Sequence, residues 1–280
     1  MVEITNESIK AFKNHLMDEE KSTATVQKYI RDVVCFSNWL GGRITDKSIV
    51  LEYKAYLCEK YAPASVNAAL SSLNSYFAFC GRLDLKVKNL KIQRRLFVKE
   101  ERELTKQEYE RLLEAAKRNG NQRLHLLIQT ICSTGIRVSE VKFITAESIS
   151  RGYAEISCKG KYRHIYIPTE LCKALKRYAK DMGIKKGPLF ITKSGKVLDR
   201  SNIWSDMKKL CRNAGVSEKK VFPHNLRHLF ARTYYSIQKD IVRLADILGH
   251  SSVNTTRIYT VESGSIHKKQ IQKLGLLYTT

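Results

Sequence analysis

The chain has 280 residues, 43% of them apolar, and a formal net charge of +23 from 50 basic and 27 acidic side chains. That is room for one large domain or two ordinary ones with a real core, and the charge excess rules out a surface of balanced signs and points to a polyanionic partner. No stretch approaches the roughly 18 apolar residues of a spanning helix, and residues 1–10 lack the apolar core of a signal peptide, so a cytoplasmic protein with no membrane partner is expected.

The first ~80 residues read as four helices. Thr5 to Glu20 forms the first. Thr23 to Leu40 forms the second, with Val26, Tyr29, Val33, Phe36 and Leu40 at helical steps, ended by Gly41-Gly42. Lys47 to Lys60 is the third, and Pro63 opens the fourth. One side of that fourth helix carries Val66, Leu70, Leu73, Phe77 and Cys80. The other carries Ser65, Asn67, Ser71, Ser72, Asn74 and Ser75, short polar groups suited to a phosphate backbone. Residues 82–103 read as a basic linker, with Arg94 and Arg95 as candidate DNA contacts; an ordinary solvated loop is the plainer alternative.

A second domain is expected from residue 104 to 280. Thr105 and Glu108 form a capping box before a helix to about Arg118, and another helix spans Asn121 to Ser133. Short strands follow at Phe143 to Thr145, Tyr153 to Ser157 and Arg163 to Ile167, the last two flanking a lysine-bearing hairpin turn. Helices resume at Pro168, Arg200, Pro223, Lys239 and Ser252, and Ile266 to Leu274 is a short final one. The fold class expected is mainly α with a small β-sheet. The seven cysteines contain no Cys-x-x-Cys pair, which argues against a zinc ribbon and for reduced, mostly buried thiols. Residues 1–98 carry 15 basic and 10 acidic residues, net +5; residues 99–280 carry 35 and 17, net +18. Two positive halves suggest a clamp on double-stranded DNA.

Four clusters carry chemistry. His224 and Arg227 share one helical face just after Pro223, offering a proton-exchanging imidazole and a guanidinium that can hold two phosphate oxygens; a structural histidine beside a surface arginine is the plain alternative. His224 and His228 have the spacing of a zinc protease, but Asn225 stands where such a site needs glutamate, so no metal is expected. Arg137 follows Thr134-Gly135-Ile136 at a helix end, with Glu140 placed to fix a neighbouring side chain; a capped helix with a dipole-complementing arginine is the alternative. Lys159 or Lys161 in the hairpin turn can reach a leaving oxygen, with Arg163 beside them as a further DNA contact. Tyr259 lies nine residues after His250. In one unbroken helix, at about 100° per residue, the two would face apart; Gly249 and Ser251-Ser252 break the helix, and Ser252 can cap a new one.

In this order and spacing, these residues resemble the tyrosine recombinases, or phage integrases, over nearly the whole chain. The matching segments are Thr134 to Glu140, a Lys-Gly-Lys turn best matched at Lys159, His224 to Arg227 continued by His228-Leu229-Phe230-Ala231, Leu248-Gly249-His250, and Tyr259 as nucleophile. Residues 1–81 are similar to the family's helical core-binding domain, through Ser22, Thr25, Tyr29, Asp32, Phe36 and Trp39-Leu40. The resemblance is to the compact Xer type, without an additional arm-binding domain. It implies a helical domain joined to a mixed α+β catalytic domain. It also implies a site-specific recombinase that uses neither cofactor, metal nor ATP. In that scheme Arg137 and Arg227 bind the scissile phosphate, Lys159 protonates the leaving 5′ oxygen, His224 takes the tyrosine proton and His250 hydrogen-bonds the phosphate. The partners implied are a recombination site and a homotetramer on a Holliday junction, with residues 266–277 as the segment exchanged between protomers. A type IB topoisomerase and a non-catalytic DNA-binding regulator are the competing readings; the helical first domain argues against one, and retention of all six positions against the other.

Overall fold

The computed structural model describes residues 4–92, 102–158, 161–259 and 272–273, without the side chains of residues 158 and 161. It divides into two compact units, residues 1–94 and 95–280.

The first unit is four helices, α1 (Asn6–Asp18), α2 (Thr23–Leu40), α3 (Lys47–Lys60) and α4 (Pro63–Phe79). Local sequence sets their ends. Thr5 and Ser8 form a capping box on α1, while Ser22 and Asp46 cap α2 and α3 through side-chain oxygens. Their apolar stripes meet in one core built around Phe12, Phe36, Leu70, Tyr76 and Phe77.

On the polar side of α4, Asn67, Ser72 and Asn74 are already engaged within the unit. Asn67 Nδ2 donates to the Leu90 carbonyl at 2.9 Å and its Oδ1 accepts the Leu90 N–H at 2.7 Å; Asn74 makes the same pair of bonds with Val87, at 2.8 and 2.9 Å. Ser72 is fully buried and bonds Asp32 at 2.7 Å. A side-chain amide has one acceptor and two donors, so it can pair with a strand-like segment as another main chain would. Residues 82–92, expected as the start of a linker, therefore lie on the first unit, and Leu85 and Val87 are buried in its core.

The second unit contains α5 (Lys106–Arg118), α6 (Gln122–Thr134), α7 (Ala146–Arg151), β1 (Tyr153–Cys158), β2 (Lys161–Tyr166), α8 (Thr169–Asp181), α9 (Arg200–Ala214), α10 (Pro223–Gln238), α11 (Ile241–Leu248) and the one-turn α12 (Val253–Thr256). The strands pair antiparallel, from Tyr153 opposite Tyr166 to Cys158 opposite Lys161. Three local readings are corrected. Val138–Phe143 is a 3-10 turn, and Thr145 caps α7 with Ser148, so the strand expected at 143–145 is absent; Phe143 and Ile144 are too short an apolar run to outweigh a capping box. Lys239 ends α10 in a left-handed conformation, and Asp240 caps α11. Only Cys172 and Cys211 are buried among the described cysteines, while Cys35 and Cys58 are exposed, because helix surfaces rather than core stripes carry them. The main core runs from Leu104 to Leu229. Among the described residues no helix is long and apolar enough to cross a membrane.

Candidate functional site

The site is assembled at three helix ends in the second unit. At the end of α6, Gly135 adopts φ 65° and its N–H bonds the Ile131 carbonyl. A Cβ there would lie 2.4 Å from the Phe230 ring, so this position needs glycine for both conformation and space. The turn aims Arg137 inward. At the end of α11, Gly249 N–H bonds Asp246 O and His250 N–H bonds Ala245 O, both at 2.9 Å, the paired bonds of a Schellman ending. That ending projects His250. At the start of α10, Pro223 sits at the first turn, where its missing N–H costs nothing, and His224 and Arg227 follow.

Arg227 is the centre. It is 2% exposed and donates from Nη1 to the Gly135 carbonyl at 2.5 Å and from Nη2 to the Leu248 carbonyl at 2.7 Å. Its Nη2 also lies 3.1 Å from His250 Nε2. A guanidinium can only donate. His250 Nε2 is therefore the acceptor, the imidazole carries its proton on Nδ1, and Nδ1 donates to Thr256 Oγ1 at 2.8 Å. Arg137 donates from Nη1 to Glu140 at 2.9 Å and from Nη2 to the Gly249 carbonyl at 2.8 Å. Glu140, 8% exposed at its side chain, also takes Arg163 Nη2 at 2.5 Å.

Two guanidiniums thus share one carboxylate, and a third, Arg227, is held by main-chain carbonyls. Burial raises the Glu140 pKa, but the Arg137 N–H and the Arg163 and Arg137 charges outweigh it and hold the carboxyl below its ordinary value. Burial, then Arg137, pushes Arg227 down to about 10 against the pull of Tyr259, so it stays cationic at neutral pH. Burial, then Arg227, Arg137 and Arg163, lowers His250 to about 4. His224 is lowered by burial and then by Arg227, and His228 falls to about 4 through burial, His224 and Arg227. All three imidazoles are neutral at physiological pH and able to accept a proton.

Tyr259 closes the cluster from the 3-10 turn Arg257–Tyr259. It is 3% exposed, packed with Ala231, Leu244 and Leu248. Its ring lies parallel to His250 at 6.0 Å and edge-on to His228 at 4.7 Å. Arg137, Glu140, Arg163 and His250 border an open cleft of about 1350 Å³; Arg227 and Tyr259 do not.

A family model for the phage integrase family matches residues 102–264, and one for the family's N-terminal SAM-like domain matches residues 9–82. The chain belongs to the phage integrase family. The tyrosine recombinase XerA of Pyrococcus furiosus is 29% identical over 284 residues, covering 98% of this chain and 96% of its own. The tyrosine recombinase XerH of Campylobacter jejuni is 37% identical over 167 residues, 56% of this chain and 47% of its own. The fold matches that of a lambda integrase tetramer bound to a Holliday junction, with TM-score 0.73 and 18% identity over 90% of this chain and 76% of that one.

Within this phage integrase fold, five of the six residues singled out from the sequence, Arg137, His224, Arg227, His250 and Tyr259, come together. The sixth, Lys159, lies outside the described residues, as do Arg94, Arg95 and nearly all of 266–277; Lys161 opens β2. Arg163 is not a free DNA contact. Its side chain is 12% exposed and spent on Glu140 and the Ile247 carbonyl. His228 was missed as a member of the cluster. Its position four after His224 was the available signal, since i and i+4 share a helical face.

Proposed function

We propose that the chain is a site-specific DNA recombinase that breaks and rejoins strands through a 3′-phosphotyrosine at Tyr259. The convergence of Arg137, Arg227, His224, His250 and Tyr259 on one cationic centre carries this reading. Arg137 and Arg227 receive the non-bridging oxygens of the scissile phosphate and stabilise the charge of five-coordinate phosphorus. A free phenol has a pKa near ~10, so attack at neutral pH needs a base; His224, held neutral, accepts the proton. Lys159 protonates the leaving 5′ oxygen. His250 Nε2 accepts from Arg227 in the free protein; once that guanidinium engages DNA, the imidazole proton moves from Nδ1 to Nε2, which then donates to the phosphate. The bond energy stays in the phosphotyrosine link. A 5′-hydroxyl from another strand reverses the step, and two rounds pass through a Holliday junction within a homotetramer, in the cytoplasm.

Because the Tyr259 ring is covered, the Arg257–Tyr259 turn moves when DNA docks. The experiment uses nicked duplexes carrying a binding site selected from random sequence. The wild type should form a protein–DNA adduct that survives denaturation, and Tyr259→Phe should bind the same duplex without forming one. An adduct formed by the Phe variant would disprove the choice of nucleophile.

A further inference from the structure

The scheme above leaves one member of the cluster without a task. His228 lies one turn beyond His224 on α10, half-buried. Its Nε2 is 2.9 Å from His224 Nε2. The same imidazole meets the Tyr259 ring edge-on, with centroids 4.7 Å apart and planes at 81°. Both neighbours belong to the site. A histidine kept merely to fill the core would be expected to satisfy its nitrogens on the main chain, as His125 does on the Leu113 carbonyl.

The contact between the two imidazoles constrains their protons. Two facing nitrogens at hydrogen-bond distance share one proton, so one donates and the other accepts. If His224 is to take the phenolic proton while this contact holds, its lone pair must be on Nδ1. His224 Nε2–H then donates to His228 Nε2, and His228 carries its own proton on Nδ1. Losing the acceptor would free His224 to populate both tautomers and to rotate. The edge-on ring contact limits the other partner, since it favours one orientation of the phenol ring.

We infer that His228 is a positioning residue for the cleavage half-reaction, fixing the tautomer and ring plane of His224 and seating the ring of Tyr259 beside it. This rests on the reading of Tyr259 as nucleophile and His224 as its base. In that step the phenol O–H bond breaks, its oxygen bonds phosphorus and the bond from phosphorus to the 5′ oxygen breaks. The phenolic proton goes to His224 Nδ1, and the 5′ oxygen takes its proton from the hairpin lysine. His228 exchanges no proton with DNA.

Two reactions separate this role from a general structural one. Adduct formation on the nicked duplex needs Tyr259 and its base. Joining a 5′-hydroxyl strand to a 3′-(p-nitrophenyl phosphate) end needs the phosphate site but neither of those, because nitrophenolate leaves without a proton. His228→Ala should slow adduct formation on the order of 100-fold, the scale of a misplaced reacting group, and leave joining at the wild-type rate. His228→Gln, whose amide oxygen can accept from His224, should recover most of the loss. His228→Phe keeps the ring edge but no acceptor and should remain slow; it carries the comparison if the alanine variant does not fold. Nitrogen-15 spectra of the free protein should show one His224 tautomer, protonated on Nε2, in the wild type and a mixture in the Ala and Phe variants. Equal slowing of both reactions, no slowing of either, or an unchanged His224 tautomer overturns the inference. A wild type that binds the duplex and forms no adduct overturns instead the recombinase reading beneath it.

Discussion

In the first unit the polar groups around Asp32 close on themselves. Lys28 reaches Asp32 at 2.6 Å, the Ala68 carbonyl at 2.8 Å and Ser72 at 3.0 Å, and Asp32 meets a second cation, the exposed Arg31, only at 3.8 Å. In the second unit Arg137 and Arg163 share a single carboxylate, Glu140, and Arg227 hydrogen-bonds none. Their other donors go to the carbonyls of Gly249, Ile247, Gly135 and Leu248. The first pairs its lysine with a carboxylate; the second leaves Arg227 without one and Arg163 Nε buried with no hydrogen-bond partner. The second holds surplus positive charge in a poorly hydrated place, which a polypeptide avoids unless an anion completes it. Burial first, and then the neighbouring charges, lowers the histidines of the same cluster. The difference separates a polar network that stabilises a fold from one kept ready for a ligand.

The comparison breaks most visibly at Arg227. Arg227→Lys keeps a cation and loses the fork that serves Gly135, Leu248 and His250 together. Adduct formation should fall on the order of 10²- to 10³-fold, the cost of one missing charge-stabilising donor, while the duplex is still bound. Near-wild-type cleavage would mean that charge alone, not geometry, matters there. Gly249→Ala is next. Gly249 has φ 62°, and a Cβ would meet Arg163 Cδ at 2.6 Å. Thermal unfolding should show a loss of roughly 1–2 kcal/mol for handedness and about 1–3 kcal/mol for crowding; a loss well under that range would show that Arg163 yields freely.

Acid offers a milder probe. His228 and His250 have folded pKa values of about 4 against an ordinary 6.5. Between those limits the unfolded chain binds more protons than the folded one, so this contribution is complete above pH 6.5 and is lost as pH falls toward 4. Hydrogen exchange across that range should therefore loosen α10 and α11 before α2 and α4. Simultaneous loosening of both units would contradict the contrast. The smallest effect belongs to Asn74→Ala, which removes two main-chain hydrogen bonds worth about 1–2 kcal/mol in total. It should lower the stability of the first unit and leave DNA affinity unchanged. A clear drop in affinity at constant stability would restore the phosphate-contact reading of α4.

How much was readable in advance differs by element. The bounds of α2 follow from the Val26-to-Leu40 spacing and Gly41-Gly42, and α2 and α3 span the ranges expected, with Ser22 and Asp46 as the caps the structure adds. The failures are equally specific. Asn67 and Asn74 looked like solvent-facing polar groups because their partners, Leu90 and Val87, lie 23 and 13 residues away. Arg163 looked exposed because alternation along a strand gives a side, not a partner, and its partner Glu140 lies 23 residues earlier.

The sequence by itself determined the helical character of both halves, the surplus of positive charge and the order of the motif residues, because caps, apolar periods and residue types act locally. Only the tertiary structure decided which groups meet. Arg227 joins Gly135 across 92 positions, Arg137 joins Gly249 across 112, and His228 comes between His224 and Tyr259. These contacts arise from the packing of helix ends around a common core, and no local pattern encodes which ends will face one another.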